Sequence, residues 1–274
     1  METKSSFKHT LNKMKHVGMV FIIYSVLVVL ISFLTKSYNN SFITGFFVNA
    51  NSSILDFFVL GVVLYYFEYR KQNNETISEL LEDLENLAKH SSIELNIKKI
   101  KLIRKLNSKG VYNIQAPRME LNKLSTIKYL HFKDAELSGL NMEKSNIRDC
   151  TFKDCSIQAL NINESKLKNI KFINCKIKNI KASNATFLSV TFENCFLEGG
   201  NFSKSDIKSC IIKKCNLKDI IYKDANLRSA NILQSFNVEI ERIIEAKNLD
   251  YLVCEENIKT QLKAINENIK FTTR

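Results

Sequence analysis

Residues 145–172 read SNIRDCTFKDCSIQALNINESKLKNIKF, and an apolar residue falls at every fifth position of this stretch. The same period continues without interruption through 22 consecutive positions from Ile127 to Ile232. An α-helix repeats its faces about every 3.6 residues and a β-strand about every two, so neither element produces a period of five. The pattern therefore predicts a unit of one short strand and one turn, repeated as a solenoid.

A second inward series precedes each central position by two residues, and many of its members are small. These members are Ser125, Ala135, Ser145, Cys150, Cys155, Ser165, Cys175, Ala185, Cys195, Gly200, Ser205, Cys210, Cys215, Ala225 and Ala230. The arrangement resembles the pentapeptide-repeat family, whose A-(D/N)-L-x-x motif is matched by Ala225-Asn226-Leu227, Ala230-Asn231-Ile232 and Cys215-Asn216-Leu217. This resemblance implies a right-handed quadrilateral parallel β-helix with four pentapeptides in each coil.

Such a coil predicts that residues 20 apart stack in columns. Two columns of identical residues fit this prediction: Phe132, Phe152, Phe172 and Phe192 in one, and Cys155, Cys175, Cys195 and Cys215 in the other. Six of the seven cysteines share one phase of the repeat, which is typical of small packing residues in a reducing compartment rather than of disulfides or a metal site.

No catalytic motif is present. The chain lacks a glycine-rich phosphate loop and a G-x-S-x-G motif, and its four histidines, His9, His16, His90 and His131, are scattered without the spacing of metal ligands. We therefore expect a protein that is not an enzyme and that carries no cofactor and no metal.

The N-terminal part predicts a membrane hairpin. A basic segment, residues 1–16, precedes an apolar stretch at 17–35, and a second apolar stretch covers 53–69. Lysines flank the first stretch, and Arg70 and Lys71 follow the second, so the positive-inside rule places both termini in the cytoplasm of a bacterial cell, with the hairpin in its inner membrane. In the alternative, both stretches are buried helices of a soluble domain.

Residues 70–110 predict cytoplasmic linker helices. Ile77, Leu80, Leu84 and Leu87 form a heptad-like stripe, which fits either oligomerisation or packing of the helix on its own chain. A basic amphipathic helix follows at 93–106, with either a solvated face or one that contacts lipid or the preceding acidic helix. The β-helix is expected over 118–237, and a C-terminal helical cap and tail over 238–274, with an amphipathic helix at 238–252.

The net charge of +12 favours anionic partners. One outward column contains Arg148, Lys168, Lys208 and Arg228, with Leu188 between them, and Lys171, Lys176 and Lys178 add positive charge nearby. These residues are candidates for binding a nucleotide, a nucleic acid or a regulatory protein, although solvated lysines would give the same pattern. Family members that protect DNA gyrase are acidic mimics of DNA. Residues 121–237 carry 19 Lys and Arg against 11 Asp and Glu, which is the wrong sign for that role.

Polar residues in and before the second apolar stretch are candidates for a pore. Asp56 is an acid within this stretch, and Asn49, Asn51 and Ser53 precede it, while Gly61 would allow two helices to approach closely. Asp56 also lies near the expected membrane boundary, where headgroup water would solvate it. Because two helices cannot enclose a pore, conduction would need a homo-oligomer.

Two functions remain in view. The first is a homo-oligomeric membrane effector that conducts ions or perturbs the bilayer, with the β-helix as a sensor. Its layout is similar to that of the two-helix effectors of bacterial antiphage defence. The second is a membrane-tethered scaffold that binds a protein or a nucleic acid without conduction.

Overall fold

The computed structural model describes residues 40–271 together with Ile23, Val26, Leu30, Phe33 and Leu34. The predicted basic segment 1–16 and most of the predicted first span lie outside these residues. The chain divides into two compact units, residues 1–72 and 73–274.

One long helix, α1 (Asn40–Ala88), contains the second apolar stretch. No proline interrupts it, since the single proline of the chain is Pro117. Among the described residues, no helix combines the length and the apolar character needed to cross a bilayer. The transmembrane part of the fold prediction is therefore not confirmed.

The second unit contains a parallel solenoid. Its strands are β1 (Ile127–Lys128), β2 (His131–Lys133), β3 (Asn146–Lys153), β4 (Lys166–Ile173), β5 (Thr186–Glu193) and β6 (Ile211–Lys213). All pairs are parallel, and each residue pairs with the residue 20 positions later, as Phe152 does with Phe172. The coil length predicted from the repeat is confirmed.

A left-handed residue marks the corner after each central position. Asn169, Asn174, Asn179 and Asn184, for example, all have φ between 54° and 57°. Asparagine, aspartate and glycine tolerate this conformation better than other residues, which explains why they are frequent at this position of the repeat. The corners turn the chain every five residues and thereby set the period.

The interior consists of stacked columns of like side chains. Ring centroids of Phe132, Phe152, Phe172 and Phe192 are 5.2, 4.9 and 4.8 Å apart along the stack, with interplanar angles of 11° or less. Apart from Ser125, which is exposed, the central and preceding positions of the repeat are buried, and the apolar ones form one continuous hydrophobic core. The predicted inward positions are therefore correct with that one exception.

Pairing extends beyond both predicted ends of the β-helix, but with altered spacing. At the N-terminal end Gln115 pairs with Glu136, one position beyond the partner that the regular register would give it. At the C-terminal end Asn231 pairs with Val253, two positions beyond its regular partner. The regular register thus ends where non-repeat elements begin.

Two helices pack on the first coil. The C-terminal part of α1 and helix α2 (Ile93–Ser108) contribute Leu84, Ile103 and Leu106 to the core of the solenoid. The stripe considered for oligomerisation is involved in this contact: Leu80 and Leu84 are buried, and Ile77 and Leu87 pack against the same core. Packing within the chain, one of the two alternatives left by the sequence, is what the structure contains.

Lys99 is fully buried where α1, α2 and the first coil meet. Its ammonium group donates hydrogen bonds to the carbonyl oxygens of Ala88 and His90, at 3.2 and 2.8 Å, and to that of Glu120. Burial lowers the pKa of Lys99 to about 8, partly offset by the Glu120 carboxylate. Of the three alternatives for the basic helix, contact with the preceding helix applies to this lysine, because its ammonium binds the carbonyl oxygen of Ala88 at the end of α1. A solvated face and lipid contact are wrong for it.

The C-terminal part differs from the predicted long helix at 238–252. Only α3 (Ile240–Ile243) is helical there, and the chain then adds backbone pairing on Asn226 and Asn231 before α4 (Glu256–Ile265). Ile258 and Leu262 of α4 are buried in the common core. Of the apolar residues that predicted the longer helix, Ile240 and Ile243 are buried within α3, whereas Leu249 is buried in the irregular coil beyond it.

We expect Lys99→Met to lower the free energy of unfolding by about 2–4 kcal/mol, because the carbonyl oxygens of His90 and Glu120 lose their donor and that of Ala88 loses one of two. Chemical denaturation of the purified protein measures this difference. Lys101→Met, which removes an exposed lysine from the same helix, is the control and should change stability by less than about 0.5 kcal/mol. Equal stability of the two variants would contradict a structural role for the Lys99 ammonium.

Candidate anion-binding face

The outward side of the sheet carries a dense group of cations, which we call the basic face. Its members are Lys128, Lys133, Arg148, Lys153, Lys166, Lys168 and Lys171. Six of these are exposed and Lys128 is half-buried. Because β3 and β4 each run eight residues through a corner, they place the outward positions of two successive pentapeptides on one continuous sheet.

Strand register brings distant cations side by side. Lys128 pairs with Arg148, and Arg148 pairs with Lys168. Neighbouring strands of a sheet lie about 4.8 Å apart, so three positive charges stand within about 10 Å along this column. Helix α2 adds Arg104, whose guanidinium donates to the carbonyl oxygen of Lys128 at 3.0 and 2.7 Å.

Few acids balance these charges. Lys133 approaches Asp134 at 3.9 Å, and none of the other six cations forms an ion pair among the described residues. The nearby carboxylate of Asp149 accepts a hydrogen bond from the Asn169 side chain at 2.7 Å. Like charges held side by side without partners destabilise a sheet, so this surface is well suited to an anionic ligand.

The predicted column is placed as expected but is not continuous. Lys168 is followed by Leu188, which is 54% exposed, and the same register continues through Thr186, Asp206 and Asn226 toward Lys208 and Arg228. The guanidinium of Arg228 lies 5.5 Å from the ring centroid of Tyr251. Lys208 and Arg228 are thus separated from the basic face by a strand that carries no cation.

Two of the other predicted residues lie elsewhere. Lys176 and Lys178 follow the corner at Asn174 and are not part of β4. Lys178 forms an ion pair with Glu198 at 2.7 Å, and this hydrogen-bonded ammonium lowers the pKa of the Glu198 carboxyl. Lys171 does belong to the basic face. Sequence reasoning missed Lys128, Lys133, Lys153 and Lys166, although the dense basic pattern at 166–171 is visible in the sequence.

Polar residues of the predicted pore lie on α1. Asn49, Ser53 and Asp56 are exposed and are spaced four and three residues apart, which places them on one face of the helix. Gly61 has no atom within 4 Å of the position that a Cβ would take, and the side chain of Asn51 lies outside the described part of the chain.

The cysteines are packing residues in this structure. All seven are free and buried. The residues that directly follow the stacked cysteines pair with one another in register, and these are Ser156, Lys176, Phe196 and Asn216. Burial raises the pKa of Cys150 to about 11 and that of Cys210 to about 12. Within the described residues no cluster of His, Cys, Asp and Glu could hold a metal ion.

Comparisons with known proteins agree with the architecture. Residues 125–202 match the family model described as "Pentapeptide repeat region". Together with the five-residue core period and the parallel register, this match identifies the solenoid as a pentapeptide-repeat β-helix. A comparison with curated proteins found no match.

The solved structures that this chain matches include two trypsin-treated forms of QnrB1, a plasmid-mediated fluoroquinolone resistance protein. Each is 14% identical, with TM-scores of 0.40 and 0.41, and the matches cover 57% and 58% of this chain and 86% and 87% of those chains. HetL, involved in heterocyst differentiation regulation in the cyanobacterium Nostoc sp. strain PCC 7120, is 13% identical with a TM-score of 0.27, covering 56% of this chain and 70% of HetL.

We expect the native thiols to react slowly with a thiol reagent such as DTNB at pH 8, about 100-fold more slowly than the unfolded chain, because burial restricts access and raises the pKa of thiols such as Cys150 and Cys210. All seven cysteines should react in denaturant. Rapid release of one or more equivalents from the native protein would show that the interior is accessible and contradict the packing role.

Proposed function

We propose that this protein is a membrane-anchored scaffold whose pentapeptide-repeat β-helix binds an anionic partner through the basic face. The observation that carries the binding part is the unbalanced positive charge of that face. The observation that supports the anchor is an apolar girdle on α1. The girdle consists of nine exposed side chains: Phe58, Val59, Leu60, Val62, Val63, Leu64, Tyr65, Tyr66 and Phe67.

The girdle surrounds the helix. Successive residues of an α-helix are rotated by about 100°, so ten consecutive positions, nearly all apolar, leave no polar side. Exposed apolar surface of this extent is typical of contact with a membrane or another protein. The girdle itself is about 15 Å long, and the hydrocarbon core of a bilayer is about 30 Å thick. The proposed anchor therefore includes the apolar segment 17–35 and the rest of 53–69.

The arrangement of charges supports an orientation. Lys4, Lys8, Lys13 and Lys15 precede the first apolar segment, and Arg70 and Lys71 follow the second. The positive-inside rule then favours an orientation with both termini, and hence the β-helix, in the cytoplasm. The membrane that we propose is the inner membrane of a bacterium. Buried free thiols are compatible with that reducing compartment.

We expect the full-length protein to float with phosphatidylglycerol-containing liposomes in a density gradient. Val59→Glu with Val63→Glu should reduce the floating fraction severalfold, because two charges within the girdle oppose insertion into lipid. Ser78→Glu with Asn86→Glu, which adds the same charge at exposed positions of the same helix, should float as the wild type does. A wild-type protein that stays at the bottom of the gradient would contradict the anchor.

A specific observation favours a second candidate, a homo-oligomeric channel or membrane-perturbing effector. The polar face formed by Asn49, Ser53 and Asp56 would line a pore if several copies of α1 surrounded it. A ring of Asp56 carboxylates would favour cations. Such an assembly would suit an effector of bacterial antiphage defence, with the β-helix as its sensor.

If the protein conducts, Asp56→Asn should reduce cation flux through proteoliposomes severalfold, because the ring of negative charge is removed. Glu79→Gln removes an exposed carboxylate elsewhere on the same helix and should leave flux unchanged. Liposomes that remain tight with the wild-type protein would exclude conduction and leave the scaffold function. Native mass measurement of the detergent-solubilised protein gives the number of copies.

A further inference from the structure

The cations of the basic face form rows along the strands. On β4, Lys166 and Lys168 lie two residues apart, which corresponds to about 7 Å, and Lys171 follows the corner at Asn169. On β3, Arg148 and Lys153 extend the neighbouring row. The rigid core beneath fixes these rows, so an extended polyanion would meet charges that are already in place.

The basic face is long and narrow. The outward residues of the next strand, β5, are Thr186, Leu188, Thr191 and Glu193, and none of them is a cation. The positive charge thus covers about three strands, or about 10 Å across, and it follows β3 and β4 around the corner marked by Asp149 and Asn169. A single chain of phosphates, which can bend at that corner, fits a strip of this shape. A duplex or a vesicle surface would reach beyond it on both sides.

Aromatic groups lie at one edge of the strip. Tyr129 is 54% exposed, and the Lys128 ammonium lies 5.3 Å from the centroid of its ring. Tyr112 is also exposed, and its carbonyl oxygen accepts a hydrogen bond from the Lys133 backbone at 3.1 Å, which places it beside the same edge. Exposed aromatic rings next to a row of cations are the combination with which proteins bind unpaired bases.

We propose that the basic face binds single-stranded nucleic acid, with the phosphates along β3 and β4 and a base stacked on Tyr129. This assignment rests on the anionic partner of the proposed function and names its class. Lysine rows and a single aromatic platform contact phosphates and base faces, so the binding depends little on base sequence.

Fluorescence anisotropy of a labelled 15-nucleotide oligonucleotide, titrated with the full-length protein in mild detergent, tests the proposal. We expect affinity to fall steeply with salt, and Lys166→Glu with Lys168→Glu to weaken binding at least tenfold. The control is Lys176→Glu with Lys181→Glu, which makes the same change of net charge at exposed positions of the same coil outside the basic face. The control should bind within about twofold of the wild type.

Tyr129→Asn separates stacking from charge. Asn169 occupies the same column with the same left-handed backbone, so this variant should fold normally. It should weaken binding severalfold while leaving the salt dependence unchanged, since no charge is lost. A duplex of the same length should bind at least tenfold more weakly than the single strand.

Other results would overturn the proposal. Equal loss in the control variant would show non-specific attraction to a basic protein. In a second case, phosphatidylglycerol vesicles or polyglutamate bind, the oligonucleotide does not, and the Lys166→Glu, Lys168→Glu variant loses this binding. That result would assign the face to lipid or to an acidic protein and leave the proposed anionic partner intact. Failure of all these polyanions to bind would remove the anionic partner as well.

Discussion

Stacking of like side chains between coils is the constraint on which the whole β-helix depends. Each phenyl ring of the column from Phe132 to Phe192 lies about 5 Å from the next, as Phe172 does from Phe192 at 4.8 Å. The stack persists only if every coil has the same length, because a shift of one residue would turn inward side chains outward. Where the spacing lengthens by one or two positions, at Gln115 and Asn231, the repeat gives way to elements that pack on its ends.

The same register creates the basic face. Lys128, Arg148 and Lys168 repel one another, and the sheet holds them side by side because the core beneath them stabilises the fold far more than this repulsion destabilises it. A surface that retains such repulsion with few acids beside it is suited to a ligand that relieves it. The rigidity of a solenoid makes the arrangement available without a conformational cost on binding. The five-residue repeat therefore determines both the rigid core and the position of the cations on the basic face.

Particular residues show how far the sequence could predict this arrangement. The phenylalanine column and the pairing of Arg148 with Lys168 follow from counting in steps of five and 20, because a solenoid converts sequence distance directly into position. The sequence does not predict that Lys166 and Lys153 belong to the basic face. Counting in steps of five assigns successive pentapeptides to separate faces, whereas β3 and β4 each join two pentapeptides in one eight-residue strand. Lys176 is close to these residues in sequence, yet β4 ends at Ile173 and Lys176 lies beyond it, after the next corner at Asn174.

The sequence by itself determined the repeat, its phase, the inward residues and the class of solenoid. These features depend on a local period of five residues that is present in every unit. Only the tertiary structure decided what happens at the ends and across faces. Lys99 reads as one more lysine of a basic helix, and its burial follows from three carbonyl oxygens contributed by distant parts of the chain. Likewise, the sequence alone leaves open whether Leu84 packs on another copy or on its own chain, and the structure buries it in the core of the solenoid. Such contacts join a helix to the repeat, and these segments have different periodicities. No local sequence pattern therefore predicts the contacts.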